Sequence, residues 1–346
     1  MKKFDYLIIT NVPAFYKINL YNKLSEFCSL KVIFLSKNSK IRNDDFSKGI
    51  MKFEHEFLFE KDYESRNKFI SFIKIFREIF LNSKFNKIIF CGWEIMELIP
   101  FSFILNKRKL AIVIESSIHE TRTSGLIWYV KKKIINRFSL AFPSGKLQSD
   151  ILKLANFNGD IVETYGVGIQ NFKKKTKKTK KINKIEELTY LYVGRISKEK
   201  NILRLVEEFD KHKRKLLVIG TGPLLETFLS NKYETIEFLG YVDNTLLGEF
   251  YQKSDAFILP STSEPWGLVV EEALINGLPV IVSNKVGSSF DLVESYKSGV
   301  IFDLNKSLIE TIEYFEDNYL EFFSNVSKID FEEREFNQLN AYLSRV

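Results

Sequence analysis

Residues 254–283 read SDAFILPSTSEPWGLVVEEALINGLPVIVS, and this stretch decides the fold class. Short apolar runs at Ala256–Pro260 and Pro279–Ser283 predict two strands. Between them, Leu268–Asn276 predicts a helix, and Pro265 suits its start. A strand, a helix and a second strand in this order predict neighbouring parallel strands joined by a crossover.

The same alternation continues in both directions along the chain. Further strands are predicted at Tyr6–Thr10, Lys31–Ser36, Lys87–Cys91, Leu110–Glu115, Ile161–Thr164, Leu188–Val193, Lys215–Gly220 and Ile236–Gly240. Helices are predicted at Ile18–Phe27, Ser65–Leu81, Gly125–Phe138, Gly145–Ala155, Asn201–Asp210, Leu224–Ser230, Leu246–Lys253 and Phe331–Leu343. This pattern is typical of parallel sheets covered on both faces, which is an α/β fold.

The alternation stops at a basic segment, where Lys173 to Lys184 holds eight lysines in twelve residues. A run this polar favours a solvated linker. We therefore predict two doubly wound, Rossmann-like domains facing a central cleft. Their predicted bounds are residues 1–172, a linker at 173–186, residues 187–330, and a terminal helix at 331–346 that could pack back on the first domain.

Composition narrows the classes of protein. Two cysteines in 346 residues, Cys28 and Cys91, argue against a disulfide framework or a structural zinc site. No apolar run approaches the length of a membrane span, so a cytoplasmic protein is expected. The net charge is +7, but the lysine runs lack interleaved aromatic residues, so nucleic acid is not an expected partner.

A second basic run suggests peripheral contact with an anionic membrane at the inner face of the cell membrane. Lys131, Lys132 and Lys133 lie near Ile127, Trp128 and Tyr129 on a predicted amphipathic helix. Solvated surface lysines are the alternative interpretation.

Two loops that follow predicted strands could bind phosphate. After LTYLYV come Gly194, Arg195 and, five residues further on, Lys200. Two cations converging on a helix start could clamp a diphosphate, although two solvated surface charges would give the same spacing. After LLVIG come Gly220 and Gly222, which let backbone amides approach an anion or simply form an ordinary strand–helix turn.

The strongest indication of a binding site is the pair Glu264 and Glu272, in the stretch quoted first. Glu264 precedes the helix and Glu272 lies about two turns into it, on the order of 10 Å away. That distance suits a sugar hydroxyl at one end and a ribose at the other, with a diphosphate between them over Gly267. A helix-capping Glu264 and a solvated Glu272 are the alternative.

These segments together resemble retaining glycosyltransferases of family 4, which have the GT-B fold. LYVGRISKEKN, LLVIGTGP, IEFLGYV and the stretch from Ser254 to Val293 carry the resemblance, and Glu264 and Glu272 match both ends of the family's E-x7-E motif. It implies that Glu264 contacts the donor sugar, Glu272 the ribose, and Arg195 with Lys200 the diphosphate. The remaining donor contacts implied are Gly194, Gly220, Gly222, Gly240, Tyr241, Pro265, Trp266, Gly267 and Leu268.

The N-terminal half resembles the family more loosely. ITNVPAFYKINLYNKLSE is similar to the family's first strand, loop and helix, which implies acceptor contacts at Pro13, Phe15 and Tyr16. IESSIHETR is similar to a segment that holds Glu, His and Arg opposite the donor. Glu115, His119 and Arg122 are the residues implied on the acceptor side, with His119 also a catalytic candidate or a structural histidine.

The resemblance implies transfer of a sugar from a nucleoside-diphosphate sugar to an acceptor hydroxyl with retention of configuration. The acceptor expected is a saccharide or lipid-linked saccharide of bacterial surface polysaccharide or lipopolysaccharide synthesis. No Asp-x-Asp occurs in the sequence, so neither metal nor cofactor is expected. A GT-B nucleotide-sugar epimerase and a non-catalytic nucleotide-sugar-binding protein are the alternatives.

Overall fold

A computed structural model describes residues 2–41, 49–170 and 188–346. The chain divides into two compact units, which we call the N-terminal unit, Met1–Asn171 with Glu332–Val346, and the C-terminal unit, Phe172–Phe331. The predicted linker at 173–186 lies outside the described residues. Within those residues, no helix has both the length and the apolar character needed to cross a membrane.

The N-terminal unit is built on a seven-stranded parallel sheet. Its strands are β1 (Lys2–Thr10), β2 (Leu30–Phe34), β3 (Glu54–Phe57), β4 (Ser83–Cys91), β5 (Leu110–Ile114), β6 (Leu140–Pro143) and β7 (Asp160–Ile161). They lie in the order β3-β2-β1-β4-β5-β6-β7. Its first five helices are α1 (Phe15–Leu24), α2 (Lys68–Arg77), α3 (Ile99–Ile104), α4 (Gly125–Ile135) and α5 (Lys146–Leu154).

The C-terminal unit is built on a six-stranded parallel sheet. Its strands are β8 (Thr189–Val193), β9 (Lys215–Ile219), β10 (Ile236–Gly240), β11 (Ala256–Leu259), β12 (Val280–Ser283) and β13 (Gly299–Phe302), in the order β10-β9-β8-β11-β12-β13. Its helices are α6 (Ile202–Lys211), α7 (Leu225–Leu229), α8 (Leu247–Lys253), α9 (Leu268–Ile275), α10 (Leu308–Asp317) and α11 (Tyr319–Ser327). The last helix, α12 (Phe331–Leu343), groups with the N-terminal unit.

Both faces of the N-terminal sheet are buried, as the apolar runs predict for parallel strands. On β1, Leu7 and Ile9 join the hydrophobic cluster on one face, whereas Tyr6 and Ile8 join the cluster on the other. The first face carries buried residues of α2, α3, α4 and α5, and the second carries α1 and α12. Helix α12 is held by a hydrogen bond of 2.6 Å from the Tyr6 hydroxyl to the Tyr342 carbonyl.

The α/β class with parallel sheets is confirmed, but several predicted bounds are wrong. The helix predicted over Ser65–Leu81 begins only at Lys68, because the Asn67 side chain caps it by accepting hydrogen bonds from Phe69 N and Ile70 N. A π-helix at Glu78–Asn82 follows it. The strand predicted over Ile161–Thr164 is the two-residue β7. Strands β3, β6 and β13 and helices α3, α10 and α11 were not predicted.

Candidate active site

The residues singled out in the C-terminal unit lie at one edge of its sheet. Strands β9, β8, β11 and β12 are neighbours and parallel, so their carboxyl ends meet at that edge. The loops that follow three of them hold Gly194 to Lys200, Gly220 to Gly222, and Glu264 to Gly267. The strand order therefore brings together segments that are up to about seventy residues apart in the sequence.

The first two loops approach each other backbone to backbone. Ile196 N donates to the Thr221 carbonyl at 2.9 Å. A Cβ on Gly220 would lie 2.0 Å from the Gly194 carbonyl oxygen, and one on Gly222 would lie 2.4 Å from the Ile196 oxygen. Both glycines are thus required by close packing between the loops, in addition to any contact they make with an anion.

The loops after β8 and β11 are joined by an ion pair between Lys200 and Glu264. Both side chains are largely shielded from solvent, which strengthens their attraction relative to a surface pair. Thr262 reinforces the join, since its N–H and its hydroxyl both donate to the Glu199 carbonyl, at 2.8 and 3.1 Å. Glu264 therefore lies against the cation predicted to bind diphosphate.

Arg195 is exposed, and among the described residues its guanidinium has no hydrogen-bonding or ionic partner. Its carbonyl accepts a hydrogen bond of 2.8 Å from the buried Tyr192 hydroxyl, which fixes the backbone while the side chain projects into solvent. A hydrogen bond from the Ser197 hydroxyl lowers the pKa of Glu199, and the positive charges of Arg195 and Lys200 lower it further. The loop is therefore a region of positive potential.

The start of α9 is shaped by Gly267, whose φ of 91° and ψ of 62° are left-handed. The loop before it is fastened to the loop after β12, because Gly287 N donates to the Glu264 carbonyl and Ser288 N to the Trp266 carbonyl, each at 2.9 Å. Among the described residues the Glu264 carboxylate pairs with Lys200, and the N-cap position of α9 is Gly267, so the alternative of a helix-capping Glu264 is not what the structure shows.

Trp266 was expected to contact the donor, but its side chain is only 3% exposed. Its indole nitrogen has no hydrogen-bond partner within residues 2–41, 49–170 and 188–346. The flanking Pro265 and Leu268 are exposed and partly exposed, respectively. The Trp266 ring therefore packs beneath the loop and supports it from inside the unit.

Glu272 lies about one turn into α9, since the helix begins at Leu268, and its environment is unlike that of Glu264. It is 5% exposed, and the Tyr251 hydroxyl of α8 donates to its Oε2 at 3.0 Å. Burial raises the pKa of the Glu272 carboxyl to about 8; the Tyr251 hydrogen bond lowers it in part, and Glu271 raises it again. The alternative of a solvated Glu272 is therefore not what the structure shows.

Gly240 and Tyr241 end β10 at the outer side of the same edge. Gly220 N donates to the Gly240 carbonyl at 2.7 Å, which ties this turn to the glycine loop after β9. Gly240 has a φ of 68° with no atom within 4 Å of a Cβ placed there, and the Tyr241 side chain is half exposed. The predicted nucleobase contacts are thus accessible and next to the predicted phosphate loop.

The residues predicted for the acceptor side lie in the N-terminal unit. Pro13, Phe15 and Tyr16 are buried, and the Tyr16 carbonyl accepts from Ile169 N at 2.9 Å. This leaves their side chains packed inside the unit at the start of α1, which orders the loop after β1.

His119 and Arg122 are exposed in the segment between β5 and α4, whereas Glu115, directly after β5, is ion-paired with Lys17 at 2.8 Å. Burial works to lower the pKa of the Lys17 ammonium, but the Glu115 carboxylate outweighs it and holds the pKa above its usual value. Sequence reasoning missed Lys17, although it lies within the quoted segment ITNVPAFYKINLYNKLSE. It also missed Tyr251, for which the sequence offers no local signal.

The glycosyltransferase resemblance is supported over the C-terminal unit. Residues 173–328 match the family model described as Glycosyl transferases group 1. Alpha-monoglucosyldiacylglycerol synthase of Acholeplasma laidlawii is 35% identical over 146 residues, which are 38% of this chain and 36% of that protein. The chain spans 32% and 40% of the length of two further curated relatives.

Solved structures extend the likeness to both units. The apo lipopolysaccharide outer core galactosyltransferase WaaB aligns with a TM-score of 0.70 and 13% identity over 99% of this chain and 100% of that one. Anabaena Alr3699/HepE in complex with UDP aligns with a TM-score of 0.67 and 16% identity over 99% and 100%. At these identities the likeness establishes the fold, and the predicted GT-B fold is confirmed.

Proposed function

We propose that the protein is a retaining family 4 glycosyltransferase that moves a sugar from a nucleoside-diphosphate sugar to an acceptor hydroxyl. One observation carries the proposal: the Lys200–Glu264 pair brings a cation and a carboxylate together next to the left-handed Gly267 that opens α9. An exposed Arg195 lies in the same loop as Lys200. This arrangement offers positive charge to a diphosphate and a carboxylate to the sugar bonded to it.

The donor would lie along the edge of the C-terminal sheet. Its diphosphate would accept hydrogen bonds from Arg195, Lys200 and the backbone amides at the start of α9, where the helix dipole adds partial positive charge. The ribose hydroxyls would reach Glu272, and the base would contact Gly240 and Tyr241. The UDP bound to Anabaena Alr3699/HepE, which has the same fold, supports a nucleotide at this kind of site.

The chemistry needs stabilisation of charge on the leaving group. As the bond between the anomeric carbon and the phosphate oxygen breaks, negative charge grows on the diphosphate, and Arg195 with Lys200 would neutralise it. The acceptor oxygen bonds to the anomeric carbon from the same face, and its proton passes to a donor phosphate oxygen. Glu264 would steady the positive charge on the sugar. No metal ion takes part in this proposal, because the two cations supply the charge.

The acceptor would bind to the N-terminal unit through Glu115, His119 and Arg122. We propose a lipid-linked saccharide of bacterial surface polysaccharide or lipopolysaccharide synthesis, which implies work at the inner face of the cell membrane. The names of one relative, an alpha-monoglucosyldiacylglycerol synthase, and of one structural neighbour, a lipopolysaccharide outer core galactosyltransferase, support this choice.

A panel of nucleotide sugars tested by thermal shift would identify the donor, since a ligand raises the unfolding temperature according to its concentration relative to its Kd. NMR of the product would then report the anomeric configuration. A product of inverted configuration rejects retention. Conversion of the donor to another sugar without acceptor indicates an epimerase, and binding without turnover on any acceptor indicates a non-catalytic protein.

A further inference from the structure

Many exposed large apolar side chains of the N-terminal unit lie on three helices that pack on the same face of its sheet. Buried residues of α2, α3 and α4, including Ile75, Phe101 and Trp128, belong to one core cluster. The opposite sides of these helices expose large apolar side chains. These are Phe69, Ile70, Ile73, Phe76 and Phe80 at α2, Met96, Phe103 and Ile104 at α3, and Leu126, Ile127, Tyr129 and Val130 on α4. We call this set the three-helix surface.

The three helices are joined side by side. The Phe72 and Phe101 rings stack with centroids 4.8 Å apart, which connects α2 to α3. Arg137, just after α4, donates from Nε to the Ser102 carbonyl at 3.0 Å and lies over the Phe103 ring, which connects α4 to α3. These contacts place the three helices next to one another, and together the helices expose more large apolar side chains than the scattered single residues that soluble proteins ordinarily expose.

Cations predominate on this surface, although Glu94, two residues before Met96, is an exposed carboxylate. Residues 68–77, 99–109 and 125–137 contain three, three and four Lys or Arg, respectively, and no Asp or Glu. Two nearby carboxylates are directed inward, since Glu78 pairs with Lys31 and Glu97 with Arg66.

Lys74, Lys107 and Arg137 donate hydrogen bonds to protein oxygens. Arg108 and Lys133 are exposed, form no ion pair among the described residues and remain available for an anionic partner.

We propose that the three-helix surface inserts into an anionic lipid bilayer. Apolar side chains such as Leu126, 77% exposed, and Phe69, 71% exposed, would enter the acyl boundary, while the surrounding cations bind the headgroups. A second copy of the chain fits less well, because a two-fold contact would bring two predominantly cationic surfaces together. We thereby identify the surface that would make the proposed membrane contact. Only the purpose of binding lipid rests on the proposed function.

Trp128 does not belong to the three-helix surface, although its neighbours Ile127 and Tyr129 do. It is buried in the core cluster, and Lys131 lies over the Trp93 ring at 5.3 Å. The insertion therefore depends on residues before and after Trp128, together with α2, which the sequence pattern did not single out.

The test is co-sedimentation of the full chain with vesicles of phosphatidylcholine alone or mixed with phosphatidylglycerol. Wild type should bind the anionic vesicles and release them at high salt. Phe69→Ser with Leu126→Ser should reduce partitioning about tenfold or more, and Arg108→Gln with Lys133→Gln should reduce it on anionic vesicles only. Leu320→Ser with Phe336→Ser, which removes equally exposed apolar groups from α11 and α12, is the matched control and should bind as wild type.

Three results would overturn the inference: equal binding to both kinds of vesicle, an unaffected Phe69→Ser and Leu126→Ser variant, or a concentration-dependent dimer that this variant abolishes without any vesicle binding by wild type. Circular dichroism of each variant shows whether it is folded. Donor binding, which we assign to the C-terminal unit, is measured separately by thermal shift of the full chain. If the wild type binds the donor but no vesicles, the membrane insertion is wrong and the proposed transferase is unaffected.

Discussion

Lys200 and Glu264 form an ion pair although sixty-three residues separate them in the chain. In the proposed reaction the same two groups serve different parts of the donor, the phosphate and the sugar. A bound diphosphate would compete with Glu264 for the Lys200 ammonium. The pair would therefore hold Lys200 in place before the donor binds. The interaction energy of the two side chains can be measured as a coupling in the free energy of unfolding.

A double-mutant cycle of Lys200→Met and Glu264→Gln should show this coupling in the free energy of unfolding. Both groups are largely shielded, so we expect a coupling of about 1 kcal/mol or more. The exposed pair Lys213 and Glu234, 3.6 Å apart, is the matched control, and its cycle should give a few tenths of a kcal/mol. Equal couplings in the two cycles would show that Lys200 and Glu264 do not interact more strongly than surface charges.

Substitutions at Glu264 and Glu272, the two ends of the E-x7-E motif, should have different effects on turnover and on donor binding. Glu264→Gln should depress kcat, because the group acts where charge develops in the transition state. Its affinity for free nucleoside diphosphate should not fall, since that ligand lacks the sugar and since Lys200 is freed from a competing carboxylate. Calorimetric titration with the nucleoside diphosphate checks this, and loss of binding in Glu264→Gln would reverse the assignment of the two ends.

At about pH 9, above its pKa of about 8, Glu272 is a carboxylate, and Glu272→Gln should there weaken nucleoside diphosphate binding about tenfold to a hundredfold, because an amide has one acceptor oxygen for the ribose hydroxyls where a carboxylate has two. Glu271→Gln changes the preceding residue on the same helix, which is also buried, and should leave the affinity near wild type. If the two variants bind alike, Glu272 is a core residue and the ribose assignment is wrong.

Most strand positions and the site motif could be predicted from the sequence, because buried parallel strands are short apolar runs bounded by turns, although the short strands β6 and β13 were missed. The polar edge strand β3, Glu54–Phe57, has an exposed pattern and gave no such signal. The pairing of Lys200 with Glu264 could not be predicted, since it depends on β8 and β11 being neighbours in the sheet. The contact of Tyr251 with Glu272 likewise depends on how two helices pack.

The free energy of unfolding should depend on pH, because Glu272 titrates at a higher pH in the folded chain than in the unfolded chain. Its pKa is about 8 in the folded chain against 4.5 ordinarily, so between those values the folded state keeps a proton that the unfolded chain has lost. Stability should therefore fall as pH rises from about 4.5 to about 8, by about 1.4 kcal/mol per pH unit, and then level off. Denaturant unfolding of wild type and Glu272→Gln across this range should give a difference with that slope.

The control for this titration is Glu321→Gln, an exposed change in the same unit, which should follow the wild-type profile. A flat difference between wild type and Glu272→Gln from pH 5 to pH 8 would mean that the carboxylate is already ionised in the folded chain.

Gly220 and Gly240 offer a comparison of two substitutions in adjacent loops. Gly220→Ala would place a Cβ 2.0 Å from the Gly194 oxygen, so the glycine loop after β9 must move. We expect the free energy of unfolding to fall by about 2 kcal/mol or more, together with weaker donor binding. Gly240→Ala meets no atom within 4 Å and should lose only about 1 kcal/mol through its φ of 68°. Equal effects in thermal melts would show that the loops do not depend on this close approach.

The last prediction concerns the charge that stabilises the leaving diphosphate. If Arg195 and Lys200 supply it, turnover should persist in excess chelator once the donor is known, whereas Arg195→Ala should lower kcat/KM about tenfold to a hundredfold. Arg195→Lys should restore only part of the loss, because an ammonium cannot make the two parallel hydrogen bonds of a guanidinium. The Arg195 guanidinium forms no hydrogen bond or ion pair among the described residues and acts only through its charge on Glu199, so its removal should change the unfolding temperature less than Lys200→Met, which leaves the Glu264 carboxylate unpaired. Arg204→Ala, a change at an arginine that binds the Leu304 carbonyl in the loop after β13, controls for general loss of positive charge. A strict requirement for a divalent ion, or full activity of Arg195→Ala, would exclude the cationic clamp as the source of catalysis.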